Sequence, residues 1–583
     1  MVEIKKVGVI GSGVMGHGIA ELCSIAKYNV ILIDIKDEFL KTAMEKIKWS
    51  LESLAKKKQL RDSVKTVAGR IKTSTACEVI YGGDYVIEAV VEKTEVKKDV
   101  FNRLDRIVKP SSIFASNTST IPLSDISKKI TRKDKFIGLH FSNPPVLMPI
   151  VEIIMERTSD ETLNSTTEFA KSLGKDYVLV KKDVPGFLLD RLNMRTFSES
   201  MRMFEEGYSR ECLDAMVRFR LEFPMGFCEL LDFVGIDTAY FAMNEMASRG
   251  FDVKMPDILA KMMSEGKLGM KSGEGFYKYP GPSVYARPMI MPTDAMYKPN
   301  PLRIIALAVN EAAWLIRNEV ASKEDIDKAM VKGMNWSNGP LWFADRMGID
   351  SILSTLNSRF DETNLREYKP DPLLSEMAKK DELGTKRGKG FYSWNYENME
   401  FGPAKYEKRH DQALITMQRP KKLNALNEEM WEGLKKAFEK AAKDPEVRAV
   451  LMTGEGRAFC AGDDIAMMTG WHSPIDAKSW AEAYANPFFD LLINYKKPVI
   501  TLVNGLSSGG GLELNIVSDI VVASDGALFS IPEGLIGAFP PIAVSYGAGF
   551  INRKIARYAL TGDWMSPFQA KEIGLVDEVV PAN

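Results

Sequence analysis

The sequence predicts an α/β protein with a parallel sheet at its N-terminal end, a duplicated all-helical middle and a second strand-and-helix region at its C-terminal end. Three observations carry that expectation. Apolar strand-sized runs alternate with helical stretches over the first segment, the order that builds a parallel sheet covered on both faces. From about residue 185 to about 395 long amphipathic helices dominate, and the segment repeats itself. Beyond about residue 411 strands and helices alternate again.

The elements follow in order. KKVGVI at 5–10 and NVILID at 29–34 read as the first two strands. DYVIEAVVE at 84–92, SIFASN at 112–117 and KFIGLHF at 135–141 continue the series, and PIVEII is strand-like. DEFLKTAMEKIKWSLESLAKKKQL reads as helix; its Lys56–Lys57–Lys58 run is a solvated face of the kind charge runs usually form. In the middle, LDAMVRFRLEFPMGFCELLDFVGID at 213–237 matches IDKAMVKGMNWSNGPLWFADRMGID at 326–350, and LGMKSGEGFYKY at 268–279 matches LGTKRGKGFYSW at 383–394. The Pro-rich YPGPSVYARPMIMPTDAMYKPNP between the copies reads as a linker, and NYENMEFGPAKYEKRHD, ending near 411, as a second. ALITMQ, AVLMTG at 449–454, PVITLVNG at 498–505 and DIVVASDGALFS at 519–530 supply the later strands.

Composition excludes several classes. A hydrophobic content of 45% with 27% charged residues belongs to a folded chain. A net charge of −1 offers no field for nucleic acid. Five cysteines, Cys23, Cys77, Cys212, Cys228 and Cys460, form no C-x-x-C pair and no even framework, which fits a reducing cytoplasmic compartment. The first residues lead straight into a strand with no expected signal peptide, no apolar run is long enough to span a bilayer, and no metal-ligand cluster appears.

The first candidate site begins directly after the first strand. Gly11-Ser-Gly13-Val-Met-Gly16 opens an apolar helix: Gly11 permits the tight turn, Gly13 lets backbone approach a pyrophosphate, and Gly16 allows close helix–strand packing. Asp34, at the end of the second strand, can accept from both ribose hydroxyls and would repel a 2′-phosphate, so NAD is expected rather than NADP. An ordinary Gly-rich turn is the competing reading, and the strand, helix and acidic residue around it disfavour that. His140, one of four histidines, ends a strand, and Glu152 follows in the next. A carboxylate beside an imidazole orients the ring and stabilises its protonated form, which suits a general base. A strand-end histidine alone is more often structural, and spacing does not settle the matter.

GVIGSGVMGHGIA, VIEAVVEKTEVKKDVF, ASNTST, GLHFSNPP, VEII and DVPGF occur in the order found in 3-hydroxyacyl-CoA dehydrogenases, and this resemblance covers roughly residues 1–395. It implies a Rossmann-type sheet followed by duplicated helical dehydrogenase domains. It further implies that His140 is the base, Glu152 its partner, and Ser119 a donor to the substrate oxygen, with Glu92, Lys97 and Asn117 on the cofactor and coenzyme A side of the cleft. One position departs: the family usually has asparagine where PGFLLDRL carries Asp190, and an ionised carboxylate cannot donate as an amide does. Asn193, three positions on, is the nearest residue of the usual type.

The second candidate site is formed by RAFCAGDDI at 457–465, NGLSSGGGLELNIVSDI at 504–520 and FSIPEGLIG. Gly509–Gly511 puts backbone N–H groups at a helix start, and with an N–H from the CAGDD loop can make an oxyanion hole for a thioester. Glu513 and Glu533 suit the holding of a water and the management of its protons. Glu513 alone reads equally well as a helix N-terminal charge favoured by the dipole. Residues from about 408 to 583 resemble the crotonase, or enoyl-CoA hydratase, family, a ββα superhelix that here lacks its last helices. That resemblance implies oxyanion donors at Asp463 and Gly510 and hydratase carboxylates at Glu513 and Glu533.

The expected domains are therefore 1–184 (cofactor), 185–280 and 281–400 (two helical copies) and 408–583 (crotonase, C-terminally incomplete). The expected activity is hydration of a short enoyl-CoA and NAD-dependent oxidation of the resulting (S)-3-hydroxyacyl-CoA by a cytoplasmic homo-oligomer acting on acyl-CoA thioesters, with no nucleic-acid or membrane partner. Two rivals stay open for the second region: a CoA-binding or oligomerising module without chemistry, and a double-bond isomerase.

Overall fold

In a computed structural model the N-terminal part of the chain is organised on an eight-stranded sheet. Its strands are β1 (Lys6–Ile10), β2 (Asn29–Ile33), β3 (Ile71–Ser74), β4 (Tyr85–Glu88), β5 (Ile113–Ser116), β6 (Phe136–Phe141), β7 (Ile150–Ile154) and β8 (Asp176–Val180), in the order β3-β2-β1-β4-β5-β6-β7-β8. The structure describes residues 3–394, 396–409, 411–547, 549, 551 and 554–581. Of the segments expected above, Met1, Val2, Asn395, His410, Ala548, Phe550, Asn552, Arg553, Ala582 and Asn583 lie outside those residues. The chain divides into two units, Met1–Gly384 with Gly390–Tyr392, and Thr385–Lys389 with Ser393–Asn583.

Successive residues of the central strands enter opposite cores. Tyr85 and Ile87 of β4 join one cluster and Val86 the other, so both faces are covered. The strand order reverses beside β1, with β2 on one side and β4 on the other, which opens a crevice at the carboxyl ends of these strands. One pairing departs from the all-parallel expectation: β7 runs antiparallel to β6. The connection 142–149 is shorter than the dozen or so residues a parallel crossover needs. This antiparallel register places Glu152 directly opposite His140.

The expected duplication appears as duplicated hydrogen bonding. Asp214 accepts from the N–H groups of Cys228 and Glu229, and Asp327 from those of Leu341 and Trp342, each at the start of a helix. Tyr277 and Tyr392 donate to the same two aspartates at 3.0 Å. Asp232 accepts from Phe276 and Tyr277, and Asp345 from Phe391 and Tyr392. A Cβ on Gly226 would collide with Asp214, and one on Gly339 with Asp327, so the repeated glycines leave room for the repeated carboxylates. The helices Leu189–Glu205 and Leu302–Arg317 pack together, with Arg191 and Arg195 sharing Glu311 and Arg303 reaching back to Glu199.

In the second unit, β9 (Tyr396–Phe401), β10 (Ala404–Arg409), β11 (Gln412–Met417) and β12 (Ala449–Gly454) are followed by β13 (Ala458–Cys460), β14 (Val499–Val503), β15 (Leu506–Ser508), β16 (Ile520–Ser524), β17 (Leu528–Ser530) and β18 (Glu578–Val580). They form a seven-stranded sheet, β18-β16-β14-β12-β11-β10-β9, and a three-stranded one, β13-β15-β17. The chain gives a strand to the large sheet, then one to the small sheet, and repeats, the ββα winding expected of this region. The stretch read as a second linker is instead a hairpin: β9 and β10 pair antiparallel around Gly402, where φ is +59°, and Ala404 and Tyr406 are fully buried. The burial of Ala404 and Tyr406, two positions apart on β10, and not linker composition, decides its structure. Among the described residues all five cysteines are free, no helix is long and apolar enough to cross a membrane, and no acidic, His or Cys cluster could hold a metal.

Candidate active sites

The first site collects at the carboxyl ends of β1, β2, β4, β5 and β6. Gly11 has φ +97° and donates to Ile33 O at 2.8 Å, closing the turn after β1; a Cβ there would lie 2.5 Å from Ala89 O. A Cβ on Gly16 would strike Gly11 O, whereas one on Gly13 would meet nothing within 4 Å. The loop is thus tight beneath and open above, at the N-terminus of the helix Val14–Ile25, which fits a dinucleotide pyrophosphate. Asp34 stands beside it: Oδ2 accepts from Ser12 N and Oγ, both at 2.7 Å, and Oδ1 from Ile35 N at 2.7 Å. The carboxylate therefore ties the glycine loop to the end of β2.

His140 is buried, and its Nδ1 lies 2.6 Å from Glu152 Oε2. The other oxygen of Glu152 accepts from Leu188 N at 2.9 Å and Leu189 N at 3.1 Å. Glu152 is thereby fixed in place, and among the described residues the other ring nitrogen of His140, Nε2, makes no hydrogen bond. Burial opposes a charged ring, but the hydrogen bond and charge of Glu152, with Asp190 and Glu92 beyond, outweigh it and hold His140 above its ordinary value. Asp190 occupies the first turn of the helix Leu189–Glu205. Its carboxyl has no hydrogen-bond partner among the described residues. Burial pushes it up to about 6; His140 pulls it down, while Glu152 and Glu92 push the other way. Asn193 does not stand in for it: its amide donates to Met334 Sδ at 3.0 Å.

Glu92 organises the loop that follows β5. Its Oε1 accepts from Thr118 Oγ1 at 2.6 Å, Ser119 N at 2.9 Å and Thr120 N at 3.1 Å. The Ser119 hydroxyl makes no hydrogen bond among the described residues. Burial works against this charge, but Lys97 and Thr118 hold Glu92 below the usual carboxylate range. Lys97 is itself 1% exposed, with Nζ 2.7 Å from Glu88 and 3.1 Å from Glu92. Buried in this way, it does not line a surface as the sequence suggested but ties Glu88 and Glu92 together. Removing one member of such a buried pair costs about 3–5 kcal/mol. Glu88, fully buried and also bonded by Ser116 Oγ at 2.6 Å, was not singled out from the sequence, although strand periodicity at VIE places it inside. Asn117 accepts from Phe141 N at 2.9 Å and so anchors the end of the strand that carries His140.

The second site lies where the loop after β13 meets the helix Gly510–Ile516. Leu426 N donates to Gly462 O and Asp464 N to Leu426 O, which pins the CAGDD loop and leaves the N–H of Asp463 without a carbonyl partner. Gly509, at φ +54°, turns the chain into the helix, so Gly510 presents a first-turn N–H. The two loops touch: a Cβ on Gly462 would lie 3.2 Å from Gly510 N. Glu513, buried, accepts at Oε1 from Ile542 N at 2.8 Å and Ala543 N at 3.0 Å. Burial dominates these two donors and pushes its carboxyl up to about 8. Burial also raises Glu533, whose Oε1 would lie 2.9 Å from a Cβ on Gly509 and whose buried Oε2 has no partner. The CAGDD loop, the start of the helix Gly510–Ile516 and Glu533 thus come together in one place, with Glu513 one turn into that helix. The loop holding Glu513, at Ile542 and Ala543, carried no signal in the sequence.

Comparison with known proteins agrees in both units. Residues 6–184 match the family described as 3-hydroxyacyl-CoA dehydrogenase, NAD binding domain, and residues 186–279 and 302–394 each match its C-terminal domain. Residues 407–583 match the family described as enoyl-CoA hydratase/isomerase. The mitochondrial hydroxyacyl-coenzyme A dehydrogenase of Sus scrofa is 40% identical over 288 residues, 47% of this chain and 91% of its own. A probable 3-hydroxybutyryl-CoA dehydrogenase of Deinococcus radiodurans is 42% identical over 279 residues, 47% of this chain and 100% of its own. The crystal structure of 3-hydroxybutyryl-CoA dehydrogenase from Escherichia coli superposes with a TM-score of 0.59 at 26% identity, covering 65% of this chain and 99% of that one.

Proposed function

The chain belongs to the 3-hydroxyacyl-CoA dehydrogenase family, and from that premise we propose a two-site enzyme acting on a short-chain acyl-CoA. The first unit oxidises (S)-3-hydroxyacyl-CoA to 3-oxoacyl-CoA, and the second hydrates enoyl-CoA to the 3-hydroxy form. The observation that carries the first activity is the 2.6 Å His140–Glu152 pair beside the open glycine loop.

NAD, held by Gly11, Gly13, Gly16 and Asp34, supplies the hydride acceptor. His140 Nε2 takes the proton of the 3-hydroxyl, and Glu152 stabilises the imidazolium that results. Ser119 directs its hydroxyl to the substrate oxygen, held in place by Glu92 through its N–H. Asn117 and the Glu88–Lys97–Glu92 group keep these loops in register on the cofactor and coenzyme A side.

In the second unit, water oxygen bonds to the β-carbon as Glu513 takes the water proton. The π electrons move onto the thioester oxygen, where the N–H groups of Asp463 and Gly510 meet the charge. Glu533 then gives a proton to the α-carbon, and the two glutamates exchange protons to reset. The N–H donors of Ile542 and Ala543 offset part of the burial that raises Glu513, and the buried Oε2 of Glu533 has no partner.

We assign the four segments 1–184, 185–280, 281–400 and 408–583 to cofactor binding, the two helical copies and hydration. The enzyme works in the cytoplasm as a homo-oligomer in fatty acid metabolism. A crotonyl-CoA absorbance assay with and without NAD tests the reading. Loss of the enoyl chromophore without NAD, and NADH formation when NAD is added, are expected. If the enoyl chromophore persists and no NADH forms, the second unit is a CoA-binding module, and double-bond migration without water uptake makes it an isomerase.

A further inference from the structure

We propose that Glu311, supplied by the second helical copy, is a positioning residue of the dehydrogenase site: it holds Arg191, and Arg191 holds the turn that clamps Glu152. This inference rests on the dehydrogenase reading. Its basis is a turn, at 185–189, that reaches both members of the His140–Glu152 pair. Leu188 N and Leu189 N donate to Glu152 Oε1, and the ring of Phe187 stands 6.0 Å from that of His140, centre to centre. The backbone of this turn is unfavourable by itself. Gly186 has φ +78°, and the fully buried Phe187 has φ +47°, a region that bulky side chains rarely adopt. Such a conformation persists only where the surrounding structure enforces it.

Arg191 binds the turn twice: its backbone N–H donates to Gly186 O at 3.1 Å and its Nη1 to Pro185 O at 3.2 Å. The other edge of its guanidinium meets Glu311 Oε1, with Nε at 2.7 Å and Nη2 at 2.6 Å. Arg195, one helical turn on, takes Glu311 Oε2 through Nε and Nη2, both at 2.8 Å. The Trp314 ring, on the same helix as Glu311, lies 4.5 Å from the Arg191 guanidinium, and the Phe251 ring lies 4.7 Å from it. Arg191, Arg195 and Glu311 are all buried, so this fork of charged hydrogen bonds is shielded from water and geometrically specific. A second pair separates positioning from plain support. Arg303 of the second copy donates through Nε to Glu199 of the first at 2.6 Å. Arg191 and Glu199 stand eight positions apart, as do Arg303 and Glu311, so the copies exchange the same pair in both directions, as surfaces related by a two-fold do. Among the described residues, the Arg303–Glu199 half makes no hydrogen bond to the turn beside Glu152.

The test is oxidation of 3-hydroxybutyryl-CoA by the full chain, read as kcat, KM for NAD and pH profile, in Glu311→Gln, Arg191→Lys and Glu199→Gln. Glutamine keeps an acceptor and removes the charge; lysine keeps the charge and loses the fork. A misplacement of about 1 Å costs about 10²-fold, so kcat in Glu311→Gln and Arg191→Lys should fall about 10–10²-fold with the KM for NAD unchanged. The acidic limb, set by His140 with Glu152, Asp190 and Glu92 around it, should move to lower pH as Glu152 loosens. The double variant should be little worse than either single one, since both act through one link. Glu199→Gln breaks a buried pair of the same kind, so it should lower the melting temperature as Glu311→Gln does, yet leave kcat and the limb in place. If Glu311→Gln does not fold, Arg191→Lys, which leaves Glu311 a cation, carries the test. A wild type that forms no NADH removes the dehydrogenase reading and this inference with it. An active wild type whose kcat and limb are unchanged in Arg191→Lys overturns this inference alone. So does an equal loss of kcat in Glu199→Gln, because packing of the two copies, and not the turn, would then set the rate.

Discussion

His140 Nδ1 and Glu152 Oε2 meet at 2.6 Å across an antiparallel strand pair, in the same register that sets the two residues directly opposite each other. Backbone N–H groups of Leu188 and Leu189 occupy the other carboxylate oxygen, so the pair cannot rotate apart without exposing two buried donors.

A base must be neutral to act, and His140 is held above its ordinary value. Oxidation of 3-hydroxybutyryl-CoA should therefore fall as pH drops through that raised value. In Glu152→Gln the raising interaction goes while burial, which lowers the value, remains, so the acidic limb should shift to lower pH. The plateau should fall by about 10²–10⁴, the range of lost acid–base help. His140→Gln should abolish the limb altogether and leave hydration unchanged. A stopped-flow pH profile of NADH formation decides this; a Glu152→Gln limb that moves up would contradict the pairing.

Asp190 gives the second prediction. Its carboxyl, at about 6, is ionised at neutral pH beside His140 and can only accept. Asp190→Asn should supply a permanent donor and remove one charge that raises His140. The acidic limb of oxidation should then shift down, and the KM for the hydroxyacyl-CoA at pH 8 should fall several-fold. A rise in KM instead would show that the carboxylate itself binds substrate.

The residues assigned to the chemistry were legible because each sits at a strand end or helix start that its own neighbours define. His140, Glu152, Gly11 and Gly510 are of this kind. What escaped was set by tertiary partners. Glu88 looks like one more strand residue until Lys97 and Ser116 reach it from elsewhere. The 395–411 stretch has the Gly and Pro of a linker, yet Ala404 and Tyr406 bury against a helix that begins about twenty residues later. Asp463 was read for its backbone, since only the position of Trp431 shows where the side chain turns. The antiparallel β6–β7 pair was hidden for a simpler reason: a short connection reverses a strand without altering its apolar pattern.

Asp34 holds the glycine loop, and the proposed function gives it the ribose as a second task; a substitution separates the two. Its Oδ2 holds Ser12 by both N and Oγ, so Asp34→Ala should loosen the glycine loop as well as lose ribose contacts. The KM for NAD should rise at least about tenfold, equal to roughly 1.4 kcal/mol, and the preference over NADP should narrow. Ser12→Ala removes one of the two bonds and leaves the carboxylate, so it should raise the KM for NAD less and keep the preference. Initial rates with both nucleotides measure this. A wild type that prefers NADP would defeat the assignment.

The paired glutamates of the second unit give the last prediction. Glu513→Gln keeps an oxygen for the N–H groups of Ile542 and Ala543, so the loop should hold while the base is lost. Glu533→Gln likewise keeps its size and removes the acid. Each should cut crotonyl-CoA hydration by at least about 10²-fold. The double variant should be little worse than the weaker single one, because the groups act on one water as a unit. The wild-type rate should rise with pH through about 8, since Glu513 works only when ionised and burial holds its proton until then. That ascending limb should vanish in Glu513→Gln and persist in Glu533→Gln. Oxidation of 3-hydroxybutyryl-CoA in the same three variants should be unchanged, as it depends on His140 in the other unit. Hydration that survives either single substitution at full rate would show that the water is activated elsewhere, and binding without chemistry would then be the better account of this pocket.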